Sequence, residues 1–208
     1  GVPGFGPTGS CAVAWASGKV FSRMQYSGKP GVKPKIMLIF LIGFMGSGKT
    51  TLGKPLAARL GYRFIDLDKA IEEGEGSTVG EIFAVRGEAH FRTLEHKYLQ
   101  DIVSHGGDLV VSTGGGTPCF GGNMELMNAS GVTVYFKLSP AMLADRLSAA
   151  KVCRPLLAGK SPEELLRYIV DTLAVREAYY GRANVVVANP SRDVAKLVAI
   201  LGPYLSRS

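Results

Sequence analysis

Gly43-Phe44-Met45-Gly46-Ser47-Gly48-Lys49-Thr50 is the stretch that decides the fold. Before it runs Ile36–Ile42, a continuous apolar segment of the kind buried on both faces of a parallel sheet. After it, Lys49–Leu60 reads as a helix stopped by Gly61. The spacing G-x-x-x-x-G-K-T between strand and helix makes a phosphate cradle. Gly46 and Gly48 reach backbone angles closed to other residues and turn successive N–H groups inward. The helix N-terminus adds a field that favours phosphate. Lys49 is expected on the β- and γ-phosphates and Thr50 on Mg²⁺, with Ser47 and Thr51 completing the nucleotide contacts. A fortuitous glycine-rich turn is the bland alternative, and the strand–turn–helix context weighs against it.

Outward from the cradle, strands and helices alternate. Arg63–Ile65 reads as a short strand running into Asp66-Leu67-Asp68. Val79–His105 carries helical spacing broken near Gly87. Leu109–Ser112, Val132–Lys137 and Val185–Ala188 read as strands; Ala141–Ala150, Pro162–Tyr180 and Asp193–Leu205 read as helices. The expected fold is therefore α/β, a three-layer α/β/α sandwich with right-handed crossovers.

Composition narrows the partners. The 208 residues, 46% of them hydrophobic, suit one sizeable core, and no apolar run reaches the length that spans a membrane. Residues 1–35 hold seven glycines and four prolines without helix or strand periodicity, and read as a disordered extension. An acid-poor, Ser-containing leader is compatible with a transit peptide, while Met37, directly before the first strand, is the natural start. The extension carries five cations and no acid, so without it the net charge of +7 falls to +2, 19 basic residues against 17 acidic. No broad basic face for nucleic acid follows. Cys11, Cys119 and Cys153 match neither a zinc nor a disulfide spacing, which fits a reducing cytoplasm. His90, His96 and His105 have no nucleophile or ligand spacing around them and read as ordinary helix residues. Met124 and Met127 read as core fillers.

Asp66 and Asp68 stand at the C-terminal end of the second strand, where sheets of this kind bind ligands. In an extended segment residues two apart point the same way, so both carboxylates face one cleft. Equally, Asp68 is placed to cap a helix starting near Lys69. The residues alone leave both readings open.

The ordered set GFMGSGKTT, DLD, GEAHFRTLE, STGGGTPC, CRPLL and REAYY resembles the shikimate kinases, from about Ile36 to the C-terminus. The resemblance implies a central five-stranded parallel sheet of the P-loop NTPase, nucleoside monophosphate kinase-like type, in a kinase domain over residues 36–208. It implies a mobile lid at about 151–161. It implies transfer of the ATP γ-phosphate to the 3-hydroxyl of shikimate, with Mg²⁺ required. By the same resemblance Asp68 would bind shikimate hydroxyls and orient the attacking one, and Asp66 would support Mg²⁺ in company with Thr50. Arg92, fixed by Glu95, and Arg176 would clamp the shikimate carboxylate. Gly114, Gly115 and Gly116 would offer backbone N–H groups, and Arg154 would swing from the lid onto the transferring phosphate. Arg146 and the Asn189–Arg192 segment, Arg192 included, fall where relatives meet adenine, and match less sharply.

These roles agree with the chemistry. Phosphoryl transfer needs positioning and charge neutralisation above all, and paired arginines orient a carboxylate as lysines do not. The segment between Arg154 and Ser161-Pro162 is a short lid. Rival readings are a small kinase acting on gluconate or a nucleoside monophosphate, and a nucleotide-dependent switch or nucleic-acid NTPase. A monomer is expected, since no apolar face is evidently left over.

Overall fold

Every residue of β1, Leu38–Ile42, is buried, because the strand is covered on both sides. Its even-numbered side chains Leu38, Phe40 and Ile42 enter one core cluster and its odd-numbered Ile39 and Leu41 enter another. That two-sided burial is why the strand is uniformly apolar rather than alternating. A computed structural model describes residues 37–149 and 159–205 of the chain. The extension at 1–35, Ile36, Arg154 and the lid as far as residue 158 lie outside the described residues.

The remaining strands are β2 (Arg63–Asp66), β3 (Leu109–Ser112), β4 (Val132–Lys137) and β5 (Val185–Ala188). All pair in parallel, in the order β2-β3-β1-β4-β5. The expected five-stranded parallel sheet is present. Among the described residues seven α-helices accompany it: α1 (Lys49–Leu60), α2 (Leu67–Glu75), α3 (Val79–His105), α4 (Asn123–Ser130), α5 (Pro140–Ser148), α6 (Pro162–Tyr180) and α7 (Val194–Leu205).

Three cores hold the layers. Leu52, Leu56 and Ala57 of α1 and Leu197 and Leu201 of α7 cover one face of the sheet. Leu67 and Ile71 of α2, Leu94, Tyr98 and Leu99 of α3, and Met124 and Met127 of α4 cover the other. The two methionines are fully buried, as their spacing predicts. Phe44, carried on the glycine-rich turn, joins Leu143, Leu147, Leu165 and Ile169 in the third. That cluster ties the cradle to α5 and α6.

Local signals set the helix ends. Thr78 and Glu81 form a reciprocal capping box at the start of α3, and Ser161 and Glu164 form another at the start of α6. Gly87 interrupts α3 with φ 79°, which is the break read from the sequence. Helix α2 corrects one expectation. It begins at Leu67, and its cap is Asp66, whose side chain accepts from the Lys69 N–H; Asp68 does not cap it. The two carboxylates therefore do not share an extended segment: Asp66 ends β2 and Asp68 lies in the first helical turn. Helix α5 runs Pro140–Ser148, one residue earlier at its start than the pattern predicts, because Ser139 caps it with Pro140 at the first position. Among the described residues no helix is long and apolar enough to cross a membrane.

Candidate active site

The carboxyl ends of β1, β2 and β3 open onto one cleft of about 250 Å³. Its walls include Gly46, Gly48, Lys49, Thr50, Thr51, Asp66, Asp68, Gly114 and Gly115, so residues from three separate stretches of the sequence meet there.

On the donor side, Gly46 and Gly48 take φ of 80° and 98°, the left-handed region that glycine tolerates. Helix α1 follows Gly48 at its cap position, with no side-chain cap bond and no acid in its first turn. Its first N–H groups and positive end are thus left to face an anion. Lys49 is buried, and its Nζ donates to the carbonyls of Gly43 (2.7 Å) and Phe44 (3.0 Å). These bonds hold the ammonium across the mouth of the turn. Arg146 reaches in from α5 and donates to the Ser47 carbonyl at 3.2 Å.

Thr50 Oγ1 donates to Asp66 Oδ2 at 2.8 Å and lies 3.3 Å from Ser112 Oγ. This is a small set of hard oxygen donors, with no cluster of three or more His, Cys, Asp or Glu among the described residues. Magnesium bound mainly through phosphates and water needs only such a set, so the residues fit that ion.

The acceptor side is built on three successive glycines. A Cβ on Gly114 would stand 2.9 Å from Asp68 Oδ1 and 2.8 Å from Glu95 Oε1. One on Gly115 would stand 3.2 Å from Arg176 Nη1, and one on Gly116 only 2.5 Å from Arg92 Nη1. Each glycine therefore makes room for a different charged group. Gly115 also touches the donor side, its Cβ position being 3.3 Å from the Met45 nitrogen. Asp68, Arg92 and Arg176, read from separate motifs, come together around one turn.

Their partnering differs. Arg92 donates to buried Glu95 at 2.6 Å and to Glu88 at 2.7 Å. Asp68 Oδ1 and Arg176 Nη1 are the buried side-chain polar atoms that lack a hydrogen-bond partner among the described residues. Both flank the glycine turn, and buried polar groups are rarely left so without a role. Burial, with repulsion from Glu95 and Asp66, pushes the Asp68 carboxyl up to about 7. Cys119 sits nearby, but burial pushes its thiol up, so it is a packing residue rather than a nucleophile.

Of the other site expectations, Arg192 lies exposed in the loop after β5 and does not line the cleft, and Arg154 lies outside the described residues. The three histidines all lie on α3, where His90 and His105 contact residues four positions earlier and His96 pairs with Asn123.

Four residues at the site were missed as individuals, although motifs quoted above contain three of them. Ser112 stands beside Thr50; Thr117 donates to Glu95; Tyr180 donates to the Gly115 carbonyl. Phe120 lies with its ring centroid 4.4 Å from the Arg92 guanidinium carbon. For Ser112, Thr117 and Tyr180 the positions in STGGGTPC and REAYY were the available signal; Phe120, one residue beyond the first, had none.

Comparison with known proteins adds independent findings. A family model described as shikimate kinase matches residues 45–200. A shikimate kinase of Bacteroides fragilis is 53% identical over 148 residues, 71% of this chain and 82% of that protein. The crystal structure of shikimate kinase from Bacteroides thetaiotaomicron superposes with a TM-score of 0.77 at 43% identity, covering 80% of this chain and 99% of that one. A shikimate kinase from Acinetobacter baumannii, solved in complex with shikimate, gives a TM-score of 0.72 at 34% identity over 84% of this chain and 97% of that one.

Proposed function

Because the chain belongs to the shikimate kinase family, we propose that it phosphorylates the 3-hydroxyl of shikimate with ATP. The products are shikimate 3-phosphate and ADP. One observation supports the residue roles above others: Asp68, Arg92 and Arg176 converge on Gly114–Gly116, beside the phosphate cradle.

Two guanidiniums against neighbouring glycines of the turn suit a carboxylate, which they would grip with directional, charge-assisted bonds. That grip would leave a ring hydroxyl near Asp68. The hydroxyl oxygen attacks the γ-phosphorus, the bond to the bridging oxygen of ADP breaks, and the hydroxyl proton leaves toward Asp68. An Asp68 carboxyl near 7 accepts a proton readily at neutral pH. Lys49 stands where the β- and γ-phosphates enter the cradle, and its charge offsets what develops on the transferring group. Thr50 and Asp66 would hold Mg²⁺, with Ser112 adjacent. When bound, the ion supplies charge neutralisation on the phosphates and a fixed orientation for them. Arg154, by the family pattern, would close over the phosphates and exclude water. We take the protein to act as a monomer in the cytoplasm.

A coupled ADP-release assay with shikimate, gluconate and nucleoside monophosphates tests this reading. Stimulation by shikimate alone is expected. Stimulation by another acceptor and not by shikimate would contradict it, and turnover indifferent to any acceptor would revive a nucleotide switch.

A further inference from the structure

Arg92 is held far more closely than one ion pair requires. Glu88, one of its partners, is largely exposed, with a side chain 58% accessible. Such a partner fixes little, because water competes and the side chain keeps its rotamers. Glu95 is wholly buried, so its position governs the guanidinium. A buried carboxylate must itself be satisfied on both oxygens or it turns toward whatever donor is near.

The second oxygen of Glu95 is satisfied by Thr117. Oε2 takes the Arg92 Nη1 proton, and Oε1 takes the Thr117 hydroxyl. Thr117 has no accessible surface, and its carbonyl accepts from Asn123 Nδ2 at 2.9 Å. Asn123 is also fully buried, and its Oδ1 lies 2.7 Å from His96 Nδ1. With Nδ2 on the Thr117 carbonyl, Asn123 presents its oxygen to the histidine, so His96 Nδ1 is the donor. The chain of bonds leaves α3 at Arg92 and Glu95 and returns to it at His96. It is a closed brace between one helix and the segment after the glycine turn.

That same segment touches Arg92 twice more. Gly116, where a Cβ would meet the guanidinium at 2.5 Å, lets it lie close to the turn, and the exposed ring of Phe120 stacks against it at 4.4 Å. A stacking ring on the guanidinium and the orientation of its buried counter-ion are thus set from residues 117–123. The guanidinium also lies 5.9 and 5.7 Å from the Phe83 and Phe91 rings on its own helix, so α3 supplies the rest of its surroundings.

We propose that Thr117, Asn123 and Phe120 are positioning residues for the acceptor: they fix Arg92, through Glu95 and by stacking, in the pose that receives the substrate carboxylate. The inference rests on reading Arg92 as the carboxylate ligand. Removing the Thr117 hydroxyl while keeping its shape leaves Glu95 Oε1 without its donor. The carboxylate then rotates, and Arg92 follows it toward exposed Glu88.

Steady-state kinetics on the full chain, with shikimate and ATP varied separately, tests this. Thr117→Val is expected to raise the KM for shikimate by ~10-fold, the loss of one charge-assisted hydrogen bond, with kcat and the KM for ATP within ~2-fold. Thr117→Ser keeps the hydroxyl and is expected to restore the KM for shikimate to within ~2-fold of the parent. Asn123→Ala should give the same pattern at ~5-fold and Phe120→Leu at ~3-fold, the size of an exposed cation–π contact. An unchanged KM for shikimate in Thr117→Val, or equal rises for both substrates, overturns the proposal. Should Thr117→Val not fold, Phe120→Leu decides on the same criterion, since its side chain is exposed. Arg92→Ala separates the two failures. If it raises the KM for shikimate and Thr117→Val does not, the positioning role alone is wrong; if neither moves it, the clamp reading has failed.

Discussion

The two halves of the site are built on opposite plans. The phosphate cradle at residues 43–50 is one contiguous stretch whose chemistry lies in its own backbone. Its lysine is held by carbonyls five and six residues away. The acceptor half draws on α2, α3, the glycine turn and α6, with side chains from positions 68 to 176. It also carries a raised carboxyl and, among the described residues, the two buried side-chain polar atoms that lack hydrogen-bond partners. A local cradle can be satisfied by itself. An acceptor site assembled from distant charges is costly until substrate completes it, and discriminates for the same reason.

Substitutions can break that contrast. The largest effect is expected at the donor half: Lys49→Met should lower kcat by ~10³-fold or more while the KM for shikimate changes little, as measured by ADP release. An equal loss of shikimate binding would mean that the halves are not separable.

Asp68 gives the next effect, with opposite signs for activity and stability. Asp68→Asn should cut kcat by ~10²-fold. A raised carboxyl means that the folded chain keeps a proton which the unfolded chain has lost. Its contribution to stability is therefore full below the unfolded value of about 4 and is lost as pH rises through about 7. Asn carries no such dependence. In urea melts without nucleotide or magnesium, Asp68→Asn should be more stable than the parent by ~4 kcal/mol at pH 8 and close to it near pH 4.

Gly116→Ala is smaller. The new methyl would displace the Arg92 guanidinium, a movable group, rather than backbone. The KM for shikimate should rise ~10-fold with the melting temperature within a few degrees of the parent. A large loss of stability with unchanged KM would show that the turn is structural only. Smallest is Ser112→Ala, which removes a 3.3 Å contact to Thr50; a rise of ~3-fold in the magnesium needed for half-maximal rate is expected, with the KM for shikimate unmoved.

The same contrast explains what the sequence could and could not reveal. β3, β4 and β5 stand at the bounds read from their apolar runs; β3 and β4 are covered on both faces, while β5, a partly exposed edge strand, is marked by its run of β-branched valines. Lys49 and Thr50 were legible because the cradle's geometry is local. Asp66 and Asp68 were harder: the cap reading fell on Asp68, and only the fold shows that the Lys69 N–H donates to Asp66 instead. Thr117 and Asn123 were invisible as individuals. Their roles depend on α3 lying against the turn, a contact between residues 22 and 27 positions apart that no periodicity records. Arg92 and Arg176 were found through the company of their motifs rather than through any property of an isolated arginine.

Arg92→Ala, with the KM for shikimate and for ATP determined on the same preparation, tests the division of labour most directly. The expected result is a rise of ~10²-fold for shikimate and less than ~2-fold for ATP, since only the acceptor half loses a charge-assisted ligand. Equal rises for both substrates, or none for shikimate, would contradict it.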